Sequence, residues 1–244
     1  MTRPSVQSLF WLTLFSVAMG YLEAVVVVYL RELYYPAGFR FPLVPMRSDL
    51  VAIELGREAA TLVMLAGVGV LFGRNGAERL AGFLYGFAVW DLGYYLSLKV
   101  TLGWPVTLLD WDLLFLIPVP WVGPVLAPCV LSATMIVLAG GLVYRQRGGA
   151  VRIRRADWGL LVLGSGVVIA SFVGDCARFA EGLAAGCPYV PTEFNWLLFG
   201  TGEALLLWAV YRIAVTKTAP LPTGQPLPAD GPGEESFSDY WNAL

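Results

Sequence analysis

A series of apolar runs of about 20 residues constrains the fold more than any other feature of this sequence. Hydrocarbon offers no hydrogen-bond partners, so a run of this length crosses a bilayer as an α-helix that satisfies its own backbone. Only 14% of the residues are charged, whereas soluble domains carry about 25%. The mean hydropathy is +0.67. The sequence therefore predicts an all-α, polytopic integral membrane protein.

Six runs have the length of transmembrane helices, and they occupy residues 8–30, 50–72, 79–100, 121–144, 158–179 and 194–215. The first run has a rival interpretation as a cleaved signal peptide, because Arg3 precedes it and Ala18-Met19-Gly20 resembles a cleavage site. That run continues for about 23 residues, which fits a spanning helix better. We therefore assign residues 1–216 to a six-helix transmembrane domain.

Two segments outside these runs are rich in proline. Residues 102–120 are short, amphipathic and bounded by prolines, which predicts an interfacial helix or a partly re-entrant connection between the third and fourth helices. Residues 217–244 combine proline, glycine and acidic residues. This composition cannot bury an apolar core and predicts a disordered cytoplasmic tail.

The basic residues predict the orientation. With six spans, ten lysines and arginines fall on one side and five on the other, and the loop between the fourth and fifth runs holds five of the ten. The excess of basic residues marks the cytoplasmic side, so both termini are expected in the cytoplasm, in the plasma (inner) membrane. The expected partners are the lipid bilayer and either other membrane proteins or further copies of the chain. The arginines form no basic face of the kind that binds nucleic acid.

Acidic residues recur in the outer halves of these runs. A carboxylate at the bilayer centre costs about 2.5 to 3.5 kcal/mol on insertion scales, so such residues usually mark functional sites. At 1.5 Å per residue, Glu23 lies roughly 10 Å below the outer end of its helix, and Asp91 and Glu203 lie roughly 13 Å below theirs. The candidate substrate- or ion-binding residues are Glu23, Glu54, Arg57, Glu58, Asp91 and Glu203.

Ion pairs alone cannot neutralise the negative charge of these acids, because Arg57 is the only clearly embedded cation among these candidate residues. Some of the acids must be protonated, solvated in a cavity or bound to a cation. The alternative is that they only pair with arginines and with tyrosine or tryptophan donors to tie the bundle together.

Three classes of function use such a site. We favour a carrier or channel in which Glu58, Asp91 and Glu203 bind a cation, a proton or an amine-bearing solute, with Glu23 in support. In that case Arg57 can hold an anionic group of the solute. The alternatives are a metal-dependent membrane enzyme that acts on a lipid-linked substrate through Mg²⁺, Mn²⁺ or Ca²⁺, and a non-catalytic subunit of a membrane complex.

The absence of histidine excludes histidine-ligated haem and zinc and any catalysis by imidazole. The three cysteines are too few for an iron–sulfur or zinc cluster. Cys176 and Cys187 both fall on the predicted outer side, where an oxidising environment permits a disulfide. The alternative is that they are two unrelated apolar residues.

Two further expectations concern the outer surface. Asp110 and Asp112 are expected to flank the mouth of the site as solvated residues. Tryptophans near the ends of the predicted spans are typical of the aromatic belt at a membrane interface; these are Trp104, Trp111, Trp121, Trp158 and Trp196.

Overall fold

The computed structural model describes residues 6–39, 41, 43–44, 46–146, 153–174, 190–191 and 193–215. This part of the chain is mostly helical, which confirms the predicted class. It contains the helices α1 (Val6–Tyr34), α2 (Ser48–Phe72), α3 (Gly76–Leu102), α4 (Leu126–Gln146), α5 (Arg155–Val173) and α6 (Trp196–Val215). Two short strands, β1 (Trp111–Phe115) and β2 (Trp121–Pro124), lie between α3 and α4.

Five of the helices, α1, α2, α4, α5 and α6, are long and apolar enough to cross a membrane. Their outer faces expose large apolar side chains, and Leu71 and Leu197 have 87% and 84% of their surface accessible. Contiguous apolar surface of this extent is rare on proteins dissolved in water, and lipid solvates it. The membrane character predicted from the sequence is supported. The predicted count of six spans requires that α3, which is not among these five helices, also crosses the membrane.

Helix α3 occupies the centre of the bundle and packs against α1, α2 and α4. Its buried face carries small and polar residues, which lowers its apolar character below that of its neighbours. Helices α5 and α6 pack closely against each other, and α6 also contacts α4. A shared core of buried residues joins α3 to these three helices.

Glycines allow two of the helix pairs to approach closely. A Cβ atom at Gly20 of α1 would lie 2.5 Å from the carbonyl oxygen of Trp90 in α3. A Cβ atom at Gly202 of α6 would lie 2.9 Å from the carbonyl oxygen of Gly164 in α5. Small residues at such crossings let backbones touch, and this contact replaces the hydrophobic effect that lipid does not supply.

Helix α3 begins and ends at residues suited to those positions. The Asn75 side chain accepts a hydrogen bond of 3.0 Å from the Glu78 amide at the N-terminus, which satisfies one of the free donors of the first turn. At the C-terminus Gly103 has a φ of +67°, a conformation that glycine adopts without a steric penalty. The short connection through Asn75 returns α3 directly alongside α2.

The connection between α3 and α4 differs from the interfacial helix considered for residues 102–120. It forms an antiparallel hairpin in which Trp111 pairs with Pro124, Asp112 with Gly123 and Leu113 with Val122. Prolines in this segment cannot donate the backbone hydrogen bonds that a helix needs, whereas the aromatic and aliphatic residues of β1 suit a strand.

The structure also corrects the start of the fourth helix, and some predicted features lie outside the described residues. The fourth helix begins at Leu126, because residues 121–124, which the sequence analysis gave to this helix, form β2. Cys176, Cys187 and the tail of residues 217–244 lie outside the described residues.

We expect Gly20→Ala to lower the free energy of unfolding by about 1 to 3 kcal/mol, because the added methyl group must push α1 away from α3. Thermal unfolding in detergent measures this effect. The matched control is Gly67→Ala, since a Cβ atom at Gly67 meets nothing within 4 Å. Equal stability of the two variants would contradict the close contact between α1 and α3.

Candidate functional site

A cavity of about 190 Å³ lies among α1, α2, α3, α4 and the hairpin. Its walls are mainly aromatic and aliphatic, but seven charged residues also line it. These are Glu23, Arg31, Glu54, Arg57, Glu58, Asp91 and Asp112. The structure thus brings together five of the six residues singled out from the sequence.

Arg57 is paired with two carboxylates. Its Nε donates to Glu54 Oε2 at 2.7 Å on the same helix, and its Nη1 forms an ion pair with Glu23 of α1. The Thr61 hydroxyl donates to the other oxygen of Glu23 at 3.2 Å. Arg57 therefore joins α1 to α2 and is a counter-charge shared by the two carboxylates.

Glu58 holds the hairpin against α2. Its side chain is buried, with 6% of the residue surface accessible, and its two oxygens lie 3.0 and 2.9 Å from the backbone nitrogen of Leu116. A backbone N–H that donates to a carboxylate makes a charge-assisted hydrogen bond, which is stronger than a neutral one. A residue predicted to bind an ion therefore also fixes the connection whose residues line one wall of the cavity.

Asp91 has a different environment from the other acids. It is 9% accessible, and the Ser132 hydroxyl of α4 donates to its Oδ2 at 2.8 Å. No arginine or lysine in the described residues forms an ion pair with it. A buried carboxylate with only a neutral partner favours the uptake of a proton or a cation.

Glu203 lies apart from this group. The Thr134 hydroxyl of α4 donates to its Oε2 at 2.8 Å, and its buried Oε1 has no hydrogen-bond partner within the described part of the chain. Glu203 does not line the cavity; it sits at the contact between α4 and α6. The expectation that it shares one site with Glu58 and Asp91 is not supported by this placement.

The sequence analysis missed the pairing of Arg31 with Asp112. Arg31 Nη2 donates to Asp112 Oδ1 at 3.2 Å, and both residues are buried. The guanidinium carbon also lies 3.8 Å from the centroid of the Trp104 ring and 4.1 Å from that of Phe39. Asp112, expected to be solvated, is 2% accessible, and Trp104 stacks on a cation as well as lying near a helix end.

Burial raises the pKa of Asp112 to about 6, although Arg31 and backbone and tyrosine hydrogen bonds act to lower it. Asp110 behaves differently because it stays in the turn before β1. Burial acts slightly to raise its pKa, but hydrogen bonds from Thr107 and Val106 lower it overall. The sequence gives no signal for this burial, because the alternation in Asp110-Trp111-Asp112-Leu113 is typical of a half-buried strand whose acids face water.

Among the described residues, three side-chain nitrogens next to the cavity have no hydrogen-bond partner. They are Arg31 Nη1, Trp90 Nε1 and Trp121 Nε1. Arg31 and Trp90 are 7% and 5% accessible, and a buried donor without a partner costs about 1 to 3 kcal/mol. All three nitrogens are themselves shielded by packing, so the polar groups open to the cavity are mainly its carboxylates.

The carboxylates do not form a metal-ligating cluster in the described ranges, where no three His, Cys, Asp or Glu side chains are grouped to hold an ion. Arg57 lies between Glu23 and Glu54 instead. The geometry thus gives no specific support to the predicted Mg²⁺, Mn²⁺ or Ca²⁺ ion.

Comparisons of the chain with protein-family models, with curated proteins and with solved structures found no match.

The raised pKa of Asp112 predicts a pH dependence of stability. The folded state holds this proton up to a pH of about 6, whereas the ordinary value is 3.8. Arg31 faces Asp112 from α1, and Tyr94 and Tyr95 face it from α3. Between these two values the folded protein binds more protons than the unfolded protein, so stability falls as the pH rises. The shift corresponds to about 3 kcal/mol.

We expect Asp112→Asn to remove this pH-dependent contribution to stability. The stability of the variant relative to the native protein should rise by about 2 kcal/mol between pH 4 and pH 7, as measured by unfolding in detergent at each pH. If the native protein instead gains stability over the variant across this range, the ion pair with Arg31 outweighs burial, and the pKa of Asp112 is lowered and not raised.

Proposed function

We propose that this chain is a multi-pass membrane carrier or channel in which Asp91 binds a proton or a cationic solute. In this proposal all six helices cross the membrane and both termini lie in the cytoplasm. The hairpin then covers the cavity on the outer side, as a connection that partly re-enters the membrane.

The observation that carries the proposal is the state of Asp91. It lines a cavity, it is buried, and its described partner is a serine hydroxyl and not a cation. Ionisation without a counter-charge is costly at such a position. A proton or a cation that enters the cavity removes that cost, and reversible occupation of this kind is what a carrier requires.

The charge balance of the cavity supports the same conclusion. The described lining contains five carboxylates and two guanidinium groups. Arg57 is taken up by Glu23 and Glu54, and Arg31 is taken up by Asp112. The remaining acids are Glu58, which accepts a backbone hydrogen bond, and Asp91. The excess of negative charge favours a cation over an anion in this space.

The connection between α2 and α3 supports α3 as the sixth span. The helices are joined through only a few residues around Asn75, so α3 must return antiparallel to α2. Its 27 residues extend about 40 Å, which exceeds a hydrocarbon thickness of about 30 Å. Its polar and small residues face other helices, so lipid does not meet them.

We expect Asp91→Asn to reduce flux at least about tenfold, because asparagine carries no charge to attract a cation and cannot take up a proton. The measurement uses proteoliposomes that contain a pH-sensitive dye. A gradient of H⁺, Na⁺ or K⁺ is imposed, and the dye reports the proton movement that each gradient drives.

The matched control is Glu203→Gln. Glu203 is also a buried carboxylate with one hydroxyl partner on α4, but it lies outside the cavity. Its neutralisation is expected to leave flux within about twofold of the native value. Undiminished flux in a folded Asp91→Asn variant would contradict the proposal.

The proposed topology makes a separate prediction. In a chain whose three native cysteines are replaced, Val106→Cys should react from outside the cell with a membrane-impermeant maleimide. Gly76→Cys should react only after permeabilisation. Both positions are exposed, and a Cβ atom at Gly76 meets nothing within 4 Å. The reverse pattern of labelling would invert the orientation.

A further inference from the structure

We propose that the cavity binds a small amphipathic amine: a cation with an apolar body of about one aromatic ring. This inference rests on the proposed binding site at Asp91 and adds the substrate class. Its evidence is the combination of apolar walls, a limited volume and an acid without a counter-charge among the described residues.

The walls of the cavity define the apolar body. Phe87, Trp90 and Phe115 form a cluster of rings with centroids 5.1 to 6.3 Å apart. Trp121 continues this cluster, with its ring 5.7 Å from that of Phe115. Such a surface binds apolar and aromatic groups well. An inorganic cation would leave most of it unused.

The volume limits the size of the ligand. An engineered cavity of about 150 Å³ in another protein holds benzene, and the cavity here measures about 190 Å³. One ring with a short chain therefore fits, whereas drug-sized ligands need about 300 Å³ or more.

The carboxylates define the charged group. A primary ammonium has three donors and one positive charge, which suit the free hydrogen-bonding capacity of Asp91. Rings around the site also stabilise a cation through their faces. A ligand with net negative charge would meet the excess of carboxylates.

The test is calorimetric titration of the purified native protein in detergent with four probes of similar size. They are phenethylamine, its shorter homologue benzylamine, the neutral analogue 2-phenylethanol and the anion 3-phenylpropionate. The alcohol and the anion should bind at least about tenfold more weakly than either amine.

Variants assign the charged group. Asp91→Asn should weaken the binding of both amines at least about tenfold, with no loss at Glu203→Gln. A general structural defect would weaken the alcohol by the same factor as the amines.

The outcomes separate this inference from the proposed function. Equal binding of the alcohol and the amine, or no binding of either amine at millimolar concentration, would overturn the substrate class. This comparison needs only the native protein, so it decides the matter even if the variants do not fold. Flux of H⁺ or Na⁺ with no amine binding would leave the proposed function standing. Amine binding with no flux would support the substrate class and contradict the proposed carrier or channel function.

Discussion

The structure depends on how carboxylates are matched in an apolar interior. A charge removed from water must gain hydrogen bonds or a counter-charge, because the cost of desolvation is several kcal/mol per ion. Arg57 meets this requirement for Glu23 and Glu54 and in doing so joins α1 to α2. Arg31 meets it for Asp112 and joins α1 to the hairpin. The acids that could have destabilised the bundle instead fix the positions of its parts.

The hairpin forms part of the cavity wall because two of these interactions hold it there. Glu58 accepts the Leu116 amide from α2, and Arg31 reaches Asp112 from α1. Helix packing by itself gives no reason for a β-hairpin at this position. The cavity is therefore a product of charge matching: the same groups that fix its covering segment also line its wall. Asp91, which also lines the cavity, has a neutral hydroxyl partner, whereas Glu23, Glu54 and Asp112 are paired with arginines. The lack of a counter-charge within the described residues is what distinguishes the proposed binding residue from the structural ones.

Much of the fold could be predicted because the apolar runs and their breaks are local properties. The helix end at Phe72 agrees with the predicted run, since a glycine follows it. The hairpin was missed because prolines indicated only that a regular helix was broken. Strand pairing between residues 111–115 and 121–124 depends on contacts with α1 and α2 that the segment itself does not encode.

The sequence by itself determined that acids lie in otherwise apolar helices, since both hydropathy and charge are properties of single residues. Only the tertiary structure decided which acids meet. It placed Glu23, Glu54, Arg57, Glu58 and Asp91 around one cavity, separated Glu203 from them, and added Arg31 and Asp112. The physical reason is geometric. Depth along a helix follows from residue count, whereas the direction a side chain faces across the bundle depends on how each helix is rotated against its neighbours.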